Sequence, residues 1–493
     1  MPLHIARDLR QFIELLEQRQ QLIRIKTAVS PDLEITEITD RVSKLPHDQN
    51  KALLFENPSG YNIPVLINAF GSAERMAWAL GVEQLDQLNE RLSRLIDLRL
   101  PRGMGELVGR GRDMFSAVQA VGLKPVQVRR GPVQEVVETD APSLDILPIL
   151  KCWPKDGGRF ITLPQVITRN PQTGVRNVGM YRLQMVDSRT LLVHWQRHKG
   201  GADHERRARS LKQSTIPAAV VLGGDPASMW SASAPLPPEI DEYLLSGYLR
   251  GAPVEFLRCV SQPLEVPARA EIVIEGYVDL NDYRSEGPFG DHTGYYTPVE
   301  SFPAFHITAV THRQHPIYPA TVVGIPPMED VWMGKATERL FLPLIRTVMP
   351  EVLDIHMPAE GVFHNLVIVS VQKRFPGHAR KVMHGLWGLG LLTLAKAIVV
   401  VDEWVDVQNL SQVAWQVLGN VDWSRDLLID QGPVDHLDHA SYQPLFGGKI
   451  GVDATAKWPE EGYTRGWPEP VHMSPEIQAR VDQIWNQLGV DKQ

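Results

Sequence analysis

Residues 270–313 read AEIVIEGYVDLNDYRSEGPFGDHTGYYTPVESFPAFHITAVTHR, and the rest of the chain is arranged around them. Both ends of this segment, AEIVIEGYVDL (Ala270–Leu280) and FPAFHITAVTHR (Phe302–Arg313), are rich in β-branched and aromatic residues and predict strands. Between them lies EGPFGDHTGYY (Glu286–Tyr296), which contains Gly287, Pro288, Gly290 and Gly294. Proline lacks an N–H donor and glycine loosens the backbone, so this stretch is neither regular helix nor central strand. It predicts a shaped loop that carries Glu286, Asp291 and His292. Two acids on one rigid loop can have their pKa values pushed apart, as proton transfer at neutral pH requires. The plainer alternative is an acidic turn with solvated carboxylates, because acids are common in turns.

The surrounding chain has 493 residues, 43% apolar and 22% charged, which predicts a globular protein of several domains. A net charge of −8 argues against nucleic acid as a partner. Cys152 and Cys259 stand far apart and form neither a disulfide framework nor a CxxC site, which fits a reducing compartment. MPLHIARDLRQ has no apolar core of a secretory signal. The apolar run 385–401 is interrupted by Lys396 and reads as helix plus strand, not as a membrane span. The expected location is cytoplasmic, with any membrane association peripheral at the inner face.

Residues 1–115 predict a small α/β unit. Leu9, Phe12, Ile13 and Leu16 follow helical spacing, and ALLFENPSG and IPVLINAFG read as buried strands. LPRGMGELVGRGR (Leu100–Arg112) nearly matches GxGxxG, but Val108 replaces the last glycine and no strand precedes it, so a dinucleotide site is rejected. Residues 116–325 are dominated by strand patterns, which suggest a barrel or curved sheet. GMYRLQMVD (Gly179–Asp187) and LLVHWQRH (Leu191–His198) read as a hairpin, and one helix, PPEIDEYLLSGYLRG (Pro237–Gly251), interrupts the strands. Residues 326–455 show the order LVIVSV, helix, AIVVVD, helix, DLLI, which predicts a βαβαβ parallel sheet. Residues 456–493 form an arm and a helix with Ile477, Val481, Ile484 and Leu488 on one stripe, suited to another subunit or to its own domain.

The hairpin supplies His194 and His198, with His204 beyond it. In a strand, His194, Gln196 and His198 face one way and Trp195 and Arg197 the other. Lys199-Gly200-Gly201 lets backbone approach a phosphate, while Glu205–Arg209 reads as a solvated helix face. Asn177 opens the first strand, and Arg182 has the fork that recognises carboxylate or phosphate. With Glu242 as a candidate third ligand, Asn, His and Glu donors suit Mn²⁺ or Mg²⁺. No GxSxG elbow, Walker loop or cysteine metal motif occurs.

Several of these stretches, in order, resemble the UbiD carboxy-lyases, which depend on prenylated FMN. They are RNVGMYRLQ (Arg176–Gln184), HWQRHKGGA (His194–Ala202), GGDPAS (Gly223–Ser228), PEIDEYLLSGYLRG and LEVPARAEIVIEG (Leu264–Gly276). EGPFGDHTGYY, FPGHARKVMHGLW (Phe375–Trp387) and GVDATAKWPEE (Gly451–Glu461) follow, and DLEITEI lies near the start. The resemblance implies an N-terminal α/β unit, a central flavin-binding split β-barrel, and a C-terminal α/β domain with a trailing helix. It implies that Asn177, His198 and Glu242 bind a divalent metal at the flavin phosphate, with K⁺ as a further cation. Met180, Tyr181, Arg182, His194, Trp195, Gln196, Lys199 and Gly200 are the implied cofactor contacts. Glu286, Arg182 and Asp291 are the implied catalytic network, with Asp291 as proton donor.

The implied reaction is non-oxidative decarboxylation of an aromatic acid. Loss of CO₂ leaves electron density that no side chain accepts, so a cofactor must act as the sink. The expected substrate is a 4-hydroxy-3-polyprenylbenzoate of ubiquinone-type synthesis, with a hydroxynaphthoate or a simple hydroxybenzoate as alternatives. Members of the ubiquinone pathway carry Arg-Trp-Leu and then Arg-Gly where this chain has His194-Trp195-Gln196 and Lys199-Gly200, a variant similar to members of menaquinone or other aromatic-acid pathways. A flavin prenyltransferase is the implied cofactor supplier, and a homo-oligomer, dimer or hexamer, is expected. The competing readings are a flavin-binding scaffold without turnover and a plain flavin reductase. The two loop acids favour the enzyme, because binding alone does not need them.

Overall fold

The computed structural model describes residues 5–99, 123–196, 199–237 and 239–488. The glycine-rich segment Leu100–Arg112 and the predicted metal ligand His198 lie outside the described residues.

The N-terminal helix Leu9–Gln18 buries Leu9, Phe12, Ile13 and Leu16, the four residues its spacing selects. Asp8 caps it by accepting the Gln11 N–H. Strands Leu22–Ile25, Ala52–Phe55 and Val65–Ile67 form a small sheet, and Tyr318–Pro319 joins it from far along the chain. That pairing ties the N-terminal unit to the next one.

The central unit is a nine-stranded antiparallel sheet curled into a half-barrel. Its spine is the pair Ile272–Glu286 and Glu300–His312. The predicted strand–loop–strand is therefore present, with strands that reach closer to the loop than the sequence pattern suggests. The register shifts at Glu275/Gly276 and at Asp279/Tyr283, and such bulges bend a strand. Gly276 is required at the first shift, because a Cβ there would lie 2.1 Å from the His306 carbonyl oxygen.

The predicted hairpin is shorter than expected, Leu183–Asp187 with Thr190–Val193. Gly179 belongs to a different strand, Arg176–Gly179, at the opposite end of the sheet. Met180, Tyr181 and Arg182 thus span from one end of the curled sheet to the other. They lie outside the strands, although the Arg182 carbonyl still accepts the His194 N–H at 3.2 Å. The alternation of the second strand also stops at Val193. His194 and Trp195 lie beyond it, where the Trp195 N–H turns back to the Val193 carbonyl at 3.0 Å, so the strand alternation expected there does not apply.

Among the described residues three helices interrupt these strands: Gly200–Ser210, which contains the expected helix face Glu205–Arg209, Pro226–Ser231, which was not expected, and Glu242–Arg250, which was. The first is short of apolar residues and starts at Gly200, ahead of the charged run that marked it. The third is buried on nearly every side, with Gly251 in the left-handed region as its stop.

The C-terminal sheet runs, in space, Val352–His356, Leu366–Val371, Ala397–Asp402, Phe446–Asp453, Leu427–Pro433. Its centre is parallel, as predicted, but the predicted third strand is an antiparallel edge. Phe446–Asp453 takes the expected inner place. Its sequence FGGKIGVD has few strand formers, so only sheet packing reveals it. The trailing helix Pro475–Leu488 leaves Ile477, Ile484 and Leu488 exposed and does not dock its stripe on its own domain. Among the described residues, no helix is long and apolar enough to cross a membrane.

Candidate active site

Arg182 is delivered by the short bridge that closes the half-barrel, and Glu286 by the last position of the longest strand. The Arg182 fork donates to both Glu286 carboxylate oxygens, Nε at 2.8 Å and Nη2 at 3.1 Å. Nη1 donates to Asp291 Oδ2, and Nη2 also reaches Thr297 Oγ1 at 3.2 Å. The guanidinium lies 4.6 Å from the centre of the Phe289 ring. A planar cation over an aromatic face, forked onto one acid and touching a second, is held in one geometry.

The loop that carries Asp291 is pinned from outside. Asp156 accepts the Gly290 N–H at 2.8 Å, Gln184 accepts the Gly287 N–H at 2.7 Å, and Pro288 accepts the Gly157 N–H at 2.8 Å. Gly290 sits so near Trp153 that a Cβ would meet the indole at 2.2 Å.

Glu286 is fully buried, and burial alone would raise its pKa. Contacts from His194, at 3.3 Å, and Arg182 outweigh that and hold it below the usual carboxylate range. Asp291 is also buried, yet His292 and Arg182 push its pKa well below normal. Its Oδ1 accepts both the His292 main-chain N–H, at 2.7 Å, and His292 Nδ1, at 2.8 Å. Burial opposes charge on His292, but Asp291 raises its pKa overall. His194 is the opposite case, because burial, aided by Arg182, lowers it despite Glu286.

A second cluster sits where the strand Arg176–Gly179 meets the helices. Glu242 Oε2 accepts the Val178 N–H at 2.7 Å, which brings this carboxylate beside Asn177. Burial raises the Glu242 pKa to about 8. Gly200 opens the helix Gly200–Ser210 directly against Asn177, where a Cβ would lie 1.8 Å from Asn177 Oδ1. Lys199 precedes that helix, and burial lowers its pKa. A buried carboxyl, an amide oxygen and a helix N-terminus with room only for glycine fit a cation together with a phosphate.

The remaining predicted contacts lie between these clusters. Tyr181 accepts the Gly201 N–H at 3.0 Å and meets Trp195 edge to face at 5.5 Å. Trp195 Nε1 and His194 Nε2 are buried without a protein partner, which fits polar edges of a bound group. The Met180 N–H is held by the Ala232 carbonyl, and the Gln196 carbonyl accepts the Lys199 N–H at 2.9 Å. His204 is no part of either cluster. It bonds Thr168 inside the core, and burial lowers its pKa to about 4.

Sequence reasoning missed the residues that the C-terminal unit brings over the loop. His364 Nε2 lies 3.0 Å from His292 Nε2, and Phe363 stacks on His292 at 5.3 Å. His436 contacts Glu300 at 2.8 Å, and the His439 ring lies 4.2 Å from Tyr295. The acid- and histidine-dense run DHLDH (Asp435–His439) was the one signal that could have marked this cap. His364, in GVFHN, carries no pattern at all.

Comparison with known proteins gives a consistent result. Residues 13–95, 124–326 and 331–454 match the N-terminal, Rift-related and C-terminal domains of 3-octaprenyl-4-hydroxybenzoate carboxy-lyase. An uncharacterized protein of Aquifex aeolicus is 52% identical over 98% of this chain and 99% of its own. The structure of Sedimentibacter hydroxybenzoicus vanillic acid decarboxylase in closed form is 28% identical, with TM-score 0.85 over 98% of this chain and 99% of that one. HmfF from Pelotomaculum thermopropionicum, a UbiD-class enzyme in complex with FMN, is 27% identical with TM-score 0.79, covering 96% and 98%.

Proposed function

The chain belongs to the UbiD carboxy-lyase family, and on that premise we propose that it decarboxylates an aromatic carboxylic acid, using prenylated FMN and a divalent metal. The observation that carries this reading is the buried Glu286–Arg182–Asp291 network at the closure of the half-barrel. When bound, the flavin supplies the electron sink that loss of CO₂ requires.

The chain's own residues do the rest. Asn177, His198 and Glu242 are the proposed ligands of Mn²⁺ or Mg²⁺ at the flavin phosphate, with K⁺ as a further cation. The donor set suits a hard cation, and the raised pKa of Glu242 reflects a buried charge that such a cation would offset. Gly200 and the helix it opens suit the phosphate itself. Met180, Tyr181, His194, Trp195, Gln196 and Lys199 are the proposed flavin contacts between that phosphate site and the acids.

Arg182 commits four of its five N–H donors to Glu286, Asp291 and Thr297. The fifth remains for a substrate carboxylate. Asp291 is the proposed acid that protonates the carbon from which CO₂ departs, and Glu286 fixes the arginine.

Two substrate classes remain in view, a 4-hydroxy-3-polyprenylbenzoate and a compact hydroxybenzoate or hydroxynaphthoate. The three histidines of the cap, His364, His436 and His439, favour the compact class, because a prenyl chain needs an apolar channel past them. We propose in addition a homo-oligomer in which the exposed stripe of the trailing helix covers a second copy. A flavin prenyltransferase is the proposed cofactor supplier.

The test is CO₂ release from a panel of both acid classes by protein co-expressed with a flavin prenyltransferase. Release from at least one acid, absent in Asp291→Asn, is expected. Cofactor-loaded protein that releases CO₂ from none of them contradicts the reading.

A further inference from the structure

Asp291 is bonded as an ionised carboxylate. Oδ2 accepts from Arg182, and Oδ1 accepts from both the main chain and the ring of His292. A proton on either oxygen would have to displace one of these donors. If Asp291 protonates product, its proton is stored elsewhere between turnovers.

The charges in the loop point to the store. Glu286 and Asp291 are two buried acids facing one guanidinium, and His194, the other ring at Glu286, is kept neutral by burial. The second positive charge falls to His292. Its Nδ1 must carry a proton to donate to Asp291, and its Nε2 meets His364 Nε2 at 3.0 Å, a contact that needs one proton between the rings. The groups that face this pair are Asp291, with Arg182 behind it, from the barrel, Asp330 from the helix Glu329–Val348, and Asp435 from the cap. Burial raises the Asp330 pKa to about 7, so the directly bonded Asp291 carboxylate is the anion that decides, and the proton between the rings belongs to a His292 imidazolium with neutral His364 as acceptor. Burial and the neighbouring His292 charge both keep His364 neutral.

The backbone also holds this contact. Val362 and Phe363 both lie in the left-handed region, at φ 44° and 49°, which is strained for a β-branched and an aromatic residue. That turn stacks Phe363 on His292 and sets His364 end-on to it. His364 Nδ1 is buried without a protein partner. The contact joins the barrel loop to the C-terminal unit, so the pair exists only when the two units meet as they do here.

We propose that His292 is the proton reservoir for Asp291, and that His364 is the positioning residue that keeps it loaded. This rests on the decarboxylase reading given above. In the step, the His292 Nδ1–H bond breaks and an Asp291 Oδ1–H bond forms, leaving His292 neutral. The Asp291 O–H bond then breaks as a C–H bond forms at the carbon that lost CO₂. Water returns one proton to the histidine pair, so each turnover consumes one proton and no oxidant or reductant.

The test combines ¹⁵N NMR of histidine-labelled full-length protein with kinetics of the cofactor-loaded enzyme. His292→Asn identifies the resonance. In the wild type the His292 ring should carry two protons at neutral pH and titrate above the ordinary histidine range. In His364→Leu its titration should fall by about one pH unit, the equivalent of one hydrogen bond to a charged group. Turnover in the wild type should decline on the alkaline side through the same titration. His364→Leu should move that limb to lower pH by the same amount, and His292→Asn should keep the bound flavin but lose about 100-fold or more in kcat. A His292 ring that is neutral at pH 6.5, or an alkaline limb unmoved in His364→Leu, overturns the proposal. A wild-type enzyme that releases no CO₂ while the NMR titration is as expected sinks the decarboxylase reading instead.

Discussion

Replacing Arg182 with methionine tests how the two acids are held. The substitution keeps much of the side chain's length but removes the only guanidinium bonded to Glu286 and Asp291 among the described residues. Glu286 is fully buried, so its charge would be left with only the His194 contact. Stripping one partner from a buried ion pair costs about 3–5 kcal/mol. In a unit of roughly 200 residues that lowers the melting temperature by on the order of 10 °C. The deficit should also depend on pH. In the wild type both acids have lowered pKa values, so they contribute stability above the unfolded carboxylate pKa and lose it as the pH falls. In the variant Asp291 keeps His292, but the Glu286 pKa rises, so the folded state binds a proton there and regains stability as the pH falls. His194 adds to the same trend, because without Arg182 it can take a proton beside Glu286. Scanning calorimetry of both proteins at pH 8 and pH 5 should therefore show a large gap at the higher pH and a smaller one at the lower. An equal gap at both pH values, or one under about 1 kcal/mol, would refute the idea that Arg182 offsets two buried charges.

Four further outcomes follow. Asp291→Asn should keep the circular dichroism spectrum while kcat falls about 10²- to 10⁴-fold in the CO₂ assay. Gly200→Ala puts a Cβ 1.8 Å from Asn177 Oδ1, so flavin absorbance should be lost on gel filtration of that variant and retained by the wild type. Gly157→Ala drives a Cβ to 2.1 Å from the Gly287 carbonyl oxygen, and calorimetry should show a loss of about 1–3 kcal/mol together with a drop in turnover. Removing the chain from Pro475 onward takes away the exposed helical stripe, and light scattering should report a smaller assembly.

Regular periodicity made much of the fold legible. The stripe of Leu9, Phe12, Ile13 and Leu16 is buried as its spacing requires, and LVIVSV and AIVVVD are neighbouring parallel strands. What escaped was set by tertiary pairing. FGGKIGVD is a strand only because Ala397–Asp402 and Leu427–Pro433 flank it. Met180–Arg182 looked like strand because nothing local says that the sheet curls and must be bridged there.

The acids of the loop stood out in the sequence because proline and glycine mark the loop and isolate Glu286 and Asp291. Their partner Arg182 lies 109 residues before Asp291, and only the family resemblance paired them. His364 follows Asp291's neighbour His292 by 72 residues in an unpatterned turn, so its contact could be seen only in three dimensions.

The most direct test of the central claim is native mass spectrometry, with an absorbance spectrum, of the chain co-expressed with a flavin prenyltransferase and supplied with Mn²⁺. The account predicts a bound flavin heavier than FMN by a prenyl unit, together with a metal ion. Protein that emerges colourless, or that holds only ordinary FMN under those conditions, would contradict it.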